Sequence, residues 1–155
     1  MSVVEAVAAA KKSGDFAALV QQIPYLTFLG VRVELHWGKR VAVMPFAEHL
    51  VGNPTVPALH GGTLGGLLES MAHLEFLAAT EHLKLPKTIT LTIDYLRSGK
   101  TRDTFAAAKI VKHGRRVTTL HCWAWQEEEE APIATATVHL KVSSQAPQPG
   151  GEAER

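Results

Sequence analysis

The feature that most constrains this 155-residue chain is a helical stretch that is apolar on nearly all sides. Between Gly61 and Leu83, apolar side chains recur at intervals of three and four residues, which is the spacing of an α-helix. They form two adjacent rows, namely Leu64, Leu67, Met71, Leu74, Ala78 and Leu68, Ala72, Phe76, Ala79, Leu83. A helix that is apolar on two sides must be buried, so the other elements have to wrap around it.

One narrow stripe of this helix is different, because it carries polar residues or no side chain at all. Gly62, Gly66, Glu69 and His73 are three or four residues apart and therefore stack on one face. Glycines on that face allow another backbone or a ligand to approach closely. An unpaired carboxylate on a buried helix is costly, so we interpret Glu69 as a functional residue and not as an incidental polar one.

Strands are predicted on both sides of the helix. Runs rich in β-branched residues precede it, with Trp37-Gly38 where a hairpin turn is needed. The first run after it alternates strictly, with Ile89, Leu91, Ile93 and Tyr95 on one face. The predicted strands are Leu29–His36, Lys39–Phe46, Thr88–Leu96, Asp103–Lys112, Arg115–Gln126 and Ile133–Val142, with turns at His113-Gly114 and in the acidic run Glu127–Glu130. The stretch Ala47–Leu59 is expected to be irregular.

The ends of the chain differ from this central part. Residues 1–22 predict a helical extension that breaks once at Ser13-Gly14-Asp15, and Pro24 is expected to stop the helix. The last thirteen residues, 143–155, are rich in Pro, Gly, Gln and Glu and predict a flexible tail. Residues 1–142 then form one α+β domain, in which a single antiparallel sheet of about six strands wraps around a central apolar helix.

Composition excludes several classes of protein. A formal net charge of +1 gives no reason to expect nucleic acid or an anionic membrane as a partner. We find no secretory signal peptide and no apolar run long enough to span a bilayer, which predicts a cytoplasmic protein. The single cysteine, Cys122, lies in an apolar run and is interpreted as a buried structural thiol.

The residues at the start of the buried helix carry a family resemblance. His60-Gly61-Gly62 opens that helix and Glu69 follows nine residues after the histidine. Together with Asp94–Lys100 and His113–Val117, this pattern resembles the hotdog-fold thioesterases of the PaaI type over Ile23–Val142. The resemblance implies hydrolysis of an acyl-CoA thioester without a cofactor, by a homodimer or a tetramer of hotdog units.

The resemblance also implies roles for individual residues. Gly61 would donate its backbone N–H to the thioester oxygen, since the first N–H groups of a helix are unsatisfied and lie at the positive end of its dipole. Gly62 would support the turn, His60 would brace the loop, and Asn53 would position substrate or water. Glu69 would be the nucleophile or the general base, and the sequence leaves these two routes open.

The spacing along the helix constrains how these groups work together. Glu69 lies eight residues past Gly61, which corresponds to about 12 Å of axial rise. This is too far for both groups of one chain to act on one carbonyl. The family builds each site at a dimer interface, so the acid would come from the partner subunit.

Coenzyme A carries phosphates that require cations. The candidates lie at predicted strand ends and turns, and they are Arg97, Lys100, Arg102, Arg115 and Arg116. Arginine forks suit phosphate oxygens. We favour Arg97 and Arg116 as substrate-binding residues.

Three other functions are less well supported by the sequence. A metal site built on Glu69 and His73 lacks a third ligand, so no metal is predicted. An acyl-CoA hydratase or dehydratase would place an aspartate just before Asn53-Pro54 and a histidine soon after it, and this chain has neither. A non-catalytic acyl-CoA-binding hotdog protein remains an alternative, although the presence of Glu69 argues against it.

Overall fold

The computed structural model describes residues 1–143, and the predicted tail beyond Ser143 lies outside the described residues. The helices are α1 (Val3–Ser13), α2 (Ala17–Gln21), α3 (Pro24–Leu29) and α4 (Gly61–Ala79). The strands are β1 (Arg32–His36), β2 (Lys39–Met44), β3 (Val51–Asn53), β4 (Ala58–Leu59), β5 (Lys87–Tyr95), β6 (Thr104–His113), β7 (Val117–Trp125) and β8 (Ala134–Lys141).

Six of these strands form one sheet in the order β1-β2-β6-β7-β8-β5. Every neighbouring pair in it is antiparallel. Helix α4 packs on the inner face of this sheet, where it contacts β6, β7, β8, β2 and β5. The predicted architecture, a six-stranded antiparallel sheet around a central helix, is therefore confirmed.

Complementary side-chain sizes explain how α4 lies so close to the sheet. The helix contributes bulky, fully buried side chains, including Leu67, Leu68 and Met71. The sheet contributes small buried residues from its central strands, namely Ala106, Ala108, Ala124, Ala134 and Ala136. All of them belong to one core cluster. Large side chains on the helix fill the space above small residues on the strands, and this gives the dense packing that is typical of protein interiors.

The N-terminal helices cover the far side of α4, and their boundaries correct one prediction. Helix α1 starts with a capping box between Ser2 and Glu5 and ends at Gly14, whose φ of 78° is left-handed. Pro24 does not end the helical region but begins α3, because proline is well suited to the first position of a helix. The following strand therefore starts at Arg32 and not at Leu29.

The β1–β2 hairpin turns where the sequence predicts. Trp37 and Gly38 have φ values of 55° and 80°, the left-handed pair that a two-residue hairpin turn with the correct twist requires. His36 pairs with Lys39 directly across this turn.

Three further local features differ from the prediction. The stretch expected to be irregular contains a 3₁₀ turn, Glu48–Leu50, and the small β3–β4 hairpin. Helix α4 ends at Ala79, four residues before Leu83. A bulge in β5 between Thr88 and Thr90 interrupts the strict alternation, so Thr88 faces α4 and Ile89 is 54% exposed.

Strand β5 forms an open edge of the sheet. Within residues 1–143 it pairs with β8 on one side and has no strand on the other. Three large apolar side chains on or next to it, Ile89, Tyr95 and Leu96, are each 54% exposed. A long edge with unpaired N–H and C=O groups and exposed apolar side chains is a template for pairing with another chain.

No helix among residues 1–143 is long and apolar enough to cross a membrane.

Replacing Leu68 by alanine tests the packing of α4 on the sheet. This fully buried side chain would leave a cavity, so we expect the free energy of unfolding to fall by about 2–5 kcal/mol. Leu35→Ala is the matched control, because Leu35 is 63% exposed, and it should change stability by less than about 0.5 kcal/mol. Urea unfolding at a fixed protein concentration measures both, and equal losses would contradict this account of the core.

Candidate active site

The start of α4 is held by the histidine that precedes it. His60 is the N-cap residue, and its Nδ1 accepts a hydrogen bond of 2.8 Å from the backbone N–H of Gly62. A nitrogen that accepts carries no proton, so the neutral ring holds its proton on Nε2. While it caps the helix, His60 therefore has neither nitrogen free to act as a base, and the bracing role stays a prediction.

Gly61 presents an unsatisfied backbone donor at the same place. Within residues 1–143, the N–H of Gly61 donates no hydrogen bond, whereas its carbonyl oxygen accepts one of 2.8 Å from the hydroxyl of Tyr95. The Gly61 N–H lies at the positive end of the α4 dipole. It is therefore the candidate donor to a developing oxyanion, as predicted from the sequence.

No sequence pattern predicts that Tyr95 contacts the start of α4. The alternation pattern placed Tyr95 on the same face as Leu91 and Ile93, but only the tertiary structure brings its ring to Gly61. A Cβ on Gly61 would lie 3.3 Å from two carbon atoms of that ring. Glycine is therefore the residue that fits beneath Tyr95 without displacing it.

The β3–β4 hairpin supports the loop on the other side of His60. A Cβ on Gly52 would lie 2.6 Å from the Cα of His60, so the two backbones are in direct contact. The Oδ1 of Asn53 accepts a hydrogen bond of 3.0 Å from the N–H of Thr55 and so stabilises the hairpin turn. With its oxygen engaged, the Asn53 side chain has its amide NH₂ group left for another partner.

Glu69 is half-buried on the polar stripe of α4, together with Gly62, Gly66 and His73. The stripe faces the open edge of the sheet, since Nε2 of His73 lies 3.0 Å from Oγ1 of Thr88 on β5. The ring of Tyr25 covers Gly66, where a Cβ would lie 2.6 Å from the Tyr25 Cε1. About 12 Å of helix rise separates Glu69 from Gly61, so one chain does not bring the two groups together.

The environment of His73 favours its neutral form. Burial lowers the pKa of His73 below its ordinary value of 6.5, and the nearby charge of Glu69 opposes this only in part. Among residues 1–143, no group of three His, Cys, Asp or Glu side chains is placed to hold a metal ion.

The candidate phosphate-binding cations fall into three groups. Arg97 lines a cleft with Gly61, Tyr95 and Ser98. Lys100 and Arg102 are both engaged by the Glu127 carboxylate, at 3.3 and 2.6 Å, and their hydrogen bonds and charges hold the pKa of Glu127 below its usual range. The third group, Arg115 and Arg116, lines a cleft beside Ile89 at the other end of β5, together with Lys141, which was not among the predicted cations.

Arg97 and Arg116 therefore lie far apart in one chain. Arg97 follows the last residue of β5, whereas Arg116 is next to its beginning. The eight residue steps from Lys87 to Tyr95 span about 26 Å. Neither arginine forms an ion pair within residues 1–143.

The remaining candidate side chains are structural. Cys122 is buried, as predicted, and burial raises the pKa of its thiol to about 12. Trp125 stacks on Phe105 on the outer face of the sheet, and Trp123 packs in the same small cluster and donates a hydrogen bond of 2.8 Å from its Nε1 to Glu129.

Comparisons with known proteins agree on one family. Residues 52–140 match the family described as the acyl-CoA thioesterase N-terminal domain. A curated relative from Escherichia coli (strain K12), the medium/long-chain acyl-CoA thioesterase YigI, is 28% identical over 138 residues, which cover 79% of this chain and 88% of that protein.

Solved structures support the same fold. A crystal structure from Chromobacterium violaceum is 30% identical and covers 92% of this chain and 99% of its own, with a TM-score of 0.74. A Bacillus halodurans protein solved with CoA is 20% identical and covers 92% of this chain and 93% of its own, with a TM-score of 0.66. A protein from the thioesterase superfamily has a TM-score of 0.71 at 20% identity, so the fold is that of the hotdog thioesterases.

Desolvation of the half-buried His73 ring predicts a loss of stability in acid. Its pKa is lower in the folded state, so below pH 6.5 the unfolded chain binds more protons and the free energy of unfolding falls as pH falls. The slope is at most about 1.4 kcal/mol per pH unit for one histidine. His73→Gln should reduce the loss between pH 7 and pH 5, as measured by denaturant midpoints at a fixed protein concentration.

His139→Gln is the matched control for this experiment. His139 also bonds a threonine, with Nδ1 2.9 Å from Oγ1 of Thr119, but it lies on the outer face of the sheet. This variant should keep the wild-type dependence on pH. If both variants reduce the dependence of the free energy of unfolding on pH equally, the position of His73 beside α4 is not the cause of that dependence.

Proposed function

Because this chain belongs to the acyl-CoA thioesterase family, we propose that it hydrolyses medium- or long-chain acyl-CoA at sites that two subunits build together. The observation that carries the proposal is the arrangement at α4. A free Gly61 N–H stands at the start of the helix, and the only carboxylate on the polar stripe, Glu69, lies about two turns away. The chain-length class follows the E. coli relative, which is a medium/long-chain acyl-CoA thioesterase.

The Gly61 N–H is proposed to bind the thioester oxygen. When the carbonyl carbon is attacked, negative charge grows on this oxygen, and a fixed donor at the positive end of a helix stabilises it. His60 and Gly62 hold the turn that aims this donor. Asn53, on the adjacent hairpin, has an amide NH₂ group available to position the attacking water or the substrate.

Glu69 of the partner subunit is proposed to drive the attack. As a general base, it would take a proton from water while the water oxygen bonds to the carbonyl carbon. As a nucleophile, it would form an anhydride with the acyl group, which water then hydrolyses. In both routes the C–S bond breaks, the CoA sulfur gains a proton, and the products are a free acid and CoA.

The open edge of the sheet supports a dimer with this geometry. Two copies of β5 paired antiparallel about a two-fold axis would satisfy both edges. The pairing would extend the sheet across both subunits and bring the two polar stripes to the same side of the interface. It would also bury the apolar side chains that β5 now exposes, Ile89 among them.

The same pairing accounts for the separation of the two arginines. In an antiparallel pair, the Lys87 end of one β5 lies beside the Tyr95 end of the other. Arg116 of one subunit would then approach Arg97 and Gly61 of its partner. We propose that Arg97 from one subunit and Arg116 from the other bind the phosphates of one CoA, with Arg115 and Lys141 adding to the positive charge.

Glu69→Gln tests the role of the acid. The variant keeps the size of the side chain but has no carboxylate, so we expect kcat to fall at least a hundredfold. Glu75→Gln on the same helix is the control, because Glu75 faces Arg40 at 3.2 Å and not the stripe, and it should keep near-wild-type kcat. Release of free thiol from octanoyl-CoA and palmitoyl-CoA measures both.

Two results would contradict the proposed function. Full activity in Glu69→Gln would remove Glu69 from the mechanism. Tight binding of CoA by the wild type without hydrolysis of any acyl-CoA would favour the non-catalytic alternative.

Mixed dimers test whether the site is shared. A Glu69→Gln chain and a Gly61→Val chain, each inactive alone, are co-expressed with different tags and purified through both. If sites are shared, one of the two sites in each mixed dimer has both native residues, and about half of the wild-type activity returns. Mixed dimers without activity would place both groups in one chain, and doubly tagged Glu69→Gln dimers provide the blank.

A further inference from the structure

We propose that Tyr95 is a positioning residue that fixes the Gly61–Gly62 peptide and thereby aims the oxyanion donor. This inference rests on the proposed function of Gly61, and it adds a residue that acts through Gly61 without itself carrying the chemistry. Its basis is a pair of hydrogen bonds that hold one peptide group from both ends.

The first hydrogen bond joins Tyr95 to the carbonyl end of this peptide. The Tyr95 hydroxyl donates to the oxygen of Gly61 over 2.8 Å. The second joins the other end, because the N–H of Gly62 donates to Nδ1 of His60, also over 2.8 Å. With both polar ends engaged, the plane of the peptide is fixed by residues from two different parts of the chain.

The two consecutive glycines make this pair of hydrogen bonds necessary. Gly61 and Gly62 have more backbone freedom than any other residues, so two of them in succession would sample many orientations. The nitrogen of Gly61 is bonded to the Gly61 α-carbon, and the Gly61–Gly62 peptide group starts from that same atom. Fixing that peptide therefore restricts the direction of the free N–H, and a preorganised donor needs no reorganisation as the charge develops.

The ring of Tyr95 contributes a second restraint. It occupies the space where a side chain on Gly61 would lie, with two ring carbons 3.3 Å from that position. The backbone that carries the ring is itself anchored, since the N–H groups of Leu96 and Arg97 both donate to the carbonyl of Ile133, over 2.8 and 3.1 Å. The sheet thus supports the tyrosine, and the tyrosine supports the start of the helix.

The other tyrosine of the chain provides a contrast. Tyr25 also lies over a glycine of α4, Gly66, but its hydroxyl makes no hydrogen bond within residues 1–143. Contact with a helix glycine is therefore common to both tyrosines, and only Tyr95 bonds the backbone at the helix start.

Tyr95→Phe tests the inference, with Tyr25→Phe as the matched control. Each variant removes one hydroxyl and keeps the ring. Loss of one positioning hydrogen bond should lower kcat for octanoyl-CoA about three- to tenfold in Tyr95→Phe. The KM, the Kd for free CoA measured by calorimetry, and Tm should stay near wild-type values, and Tyr25→Phe should match the wild type throughout.

Every other outcome overturns the inference. A wild-type kcat in Tyr95→Phe would show that the hydroxyl does not aim the donor. A weaker Kd for CoA or a proportionate rise in KM would make Tyr95 a substrate contact, and a fall in Tm with equal losses in both variants would make it structural. If the wild type hydrolyses no thioester, the proposed function itself fails and this inference with it.

Discussion

The packing of α4 against the alanine-lined face of the sheet is the interaction on which the rest of this structure depends. Buried leucines on two sides of the helix fill the space above Ala106, Ala124 and Ala136. The polar stripe lies on the side of the helix between β5 and α3, where His73 bonds Thr88 and Tyr25 covers Gly66. The position of Glu69 and the exposure of the Gly61 N–H both follow from this packing, since moving the helix would move both.

The start of the helix shows how the proposed oxyanion donor can be built from backbone alone. The two glycines leave space beside the backbone but supply no rigidity of their own. Rigidity comes from their neighbours, because His60 caps the helix from within the loop and Tyr95 reaches Gly61 from β5. Strand β5 is also the open edge, so the strand proposed to receive the partner subunit carries the residue proposed to aim the donor.

Much of the fold was predictable, because periodicity reports burial directly. The two apolar rows of α4 indicated a wrapped helix, and the β1–β2 turn at Trp37-Gly38 was found where the pattern placed it. The predictions that were wrong have physical causes that periodicity does not reveal. Pro24 suits a helix start as well as a helix stop, and a bulge at Ile89 reverses which residue faces the helix without changing composition.

For the candidate site, the sequence by itself determined the residue types and their order along α4: a histidine cap, a glycine with a free N–H, and a carboxylate about two turns further. These are local properties of one helix, and they can be predicted from sequence spacing because an α-helix has 3.6 residues per turn. Only the tertiary structure decided what lies opposite them. The contact of Tyr95 with Gly61 joins residues 34 apart, and the Arg97 and Arg116 ends of β5 are separated by its full length. Such contacts depend on strand register and sheet order, which no local pattern records.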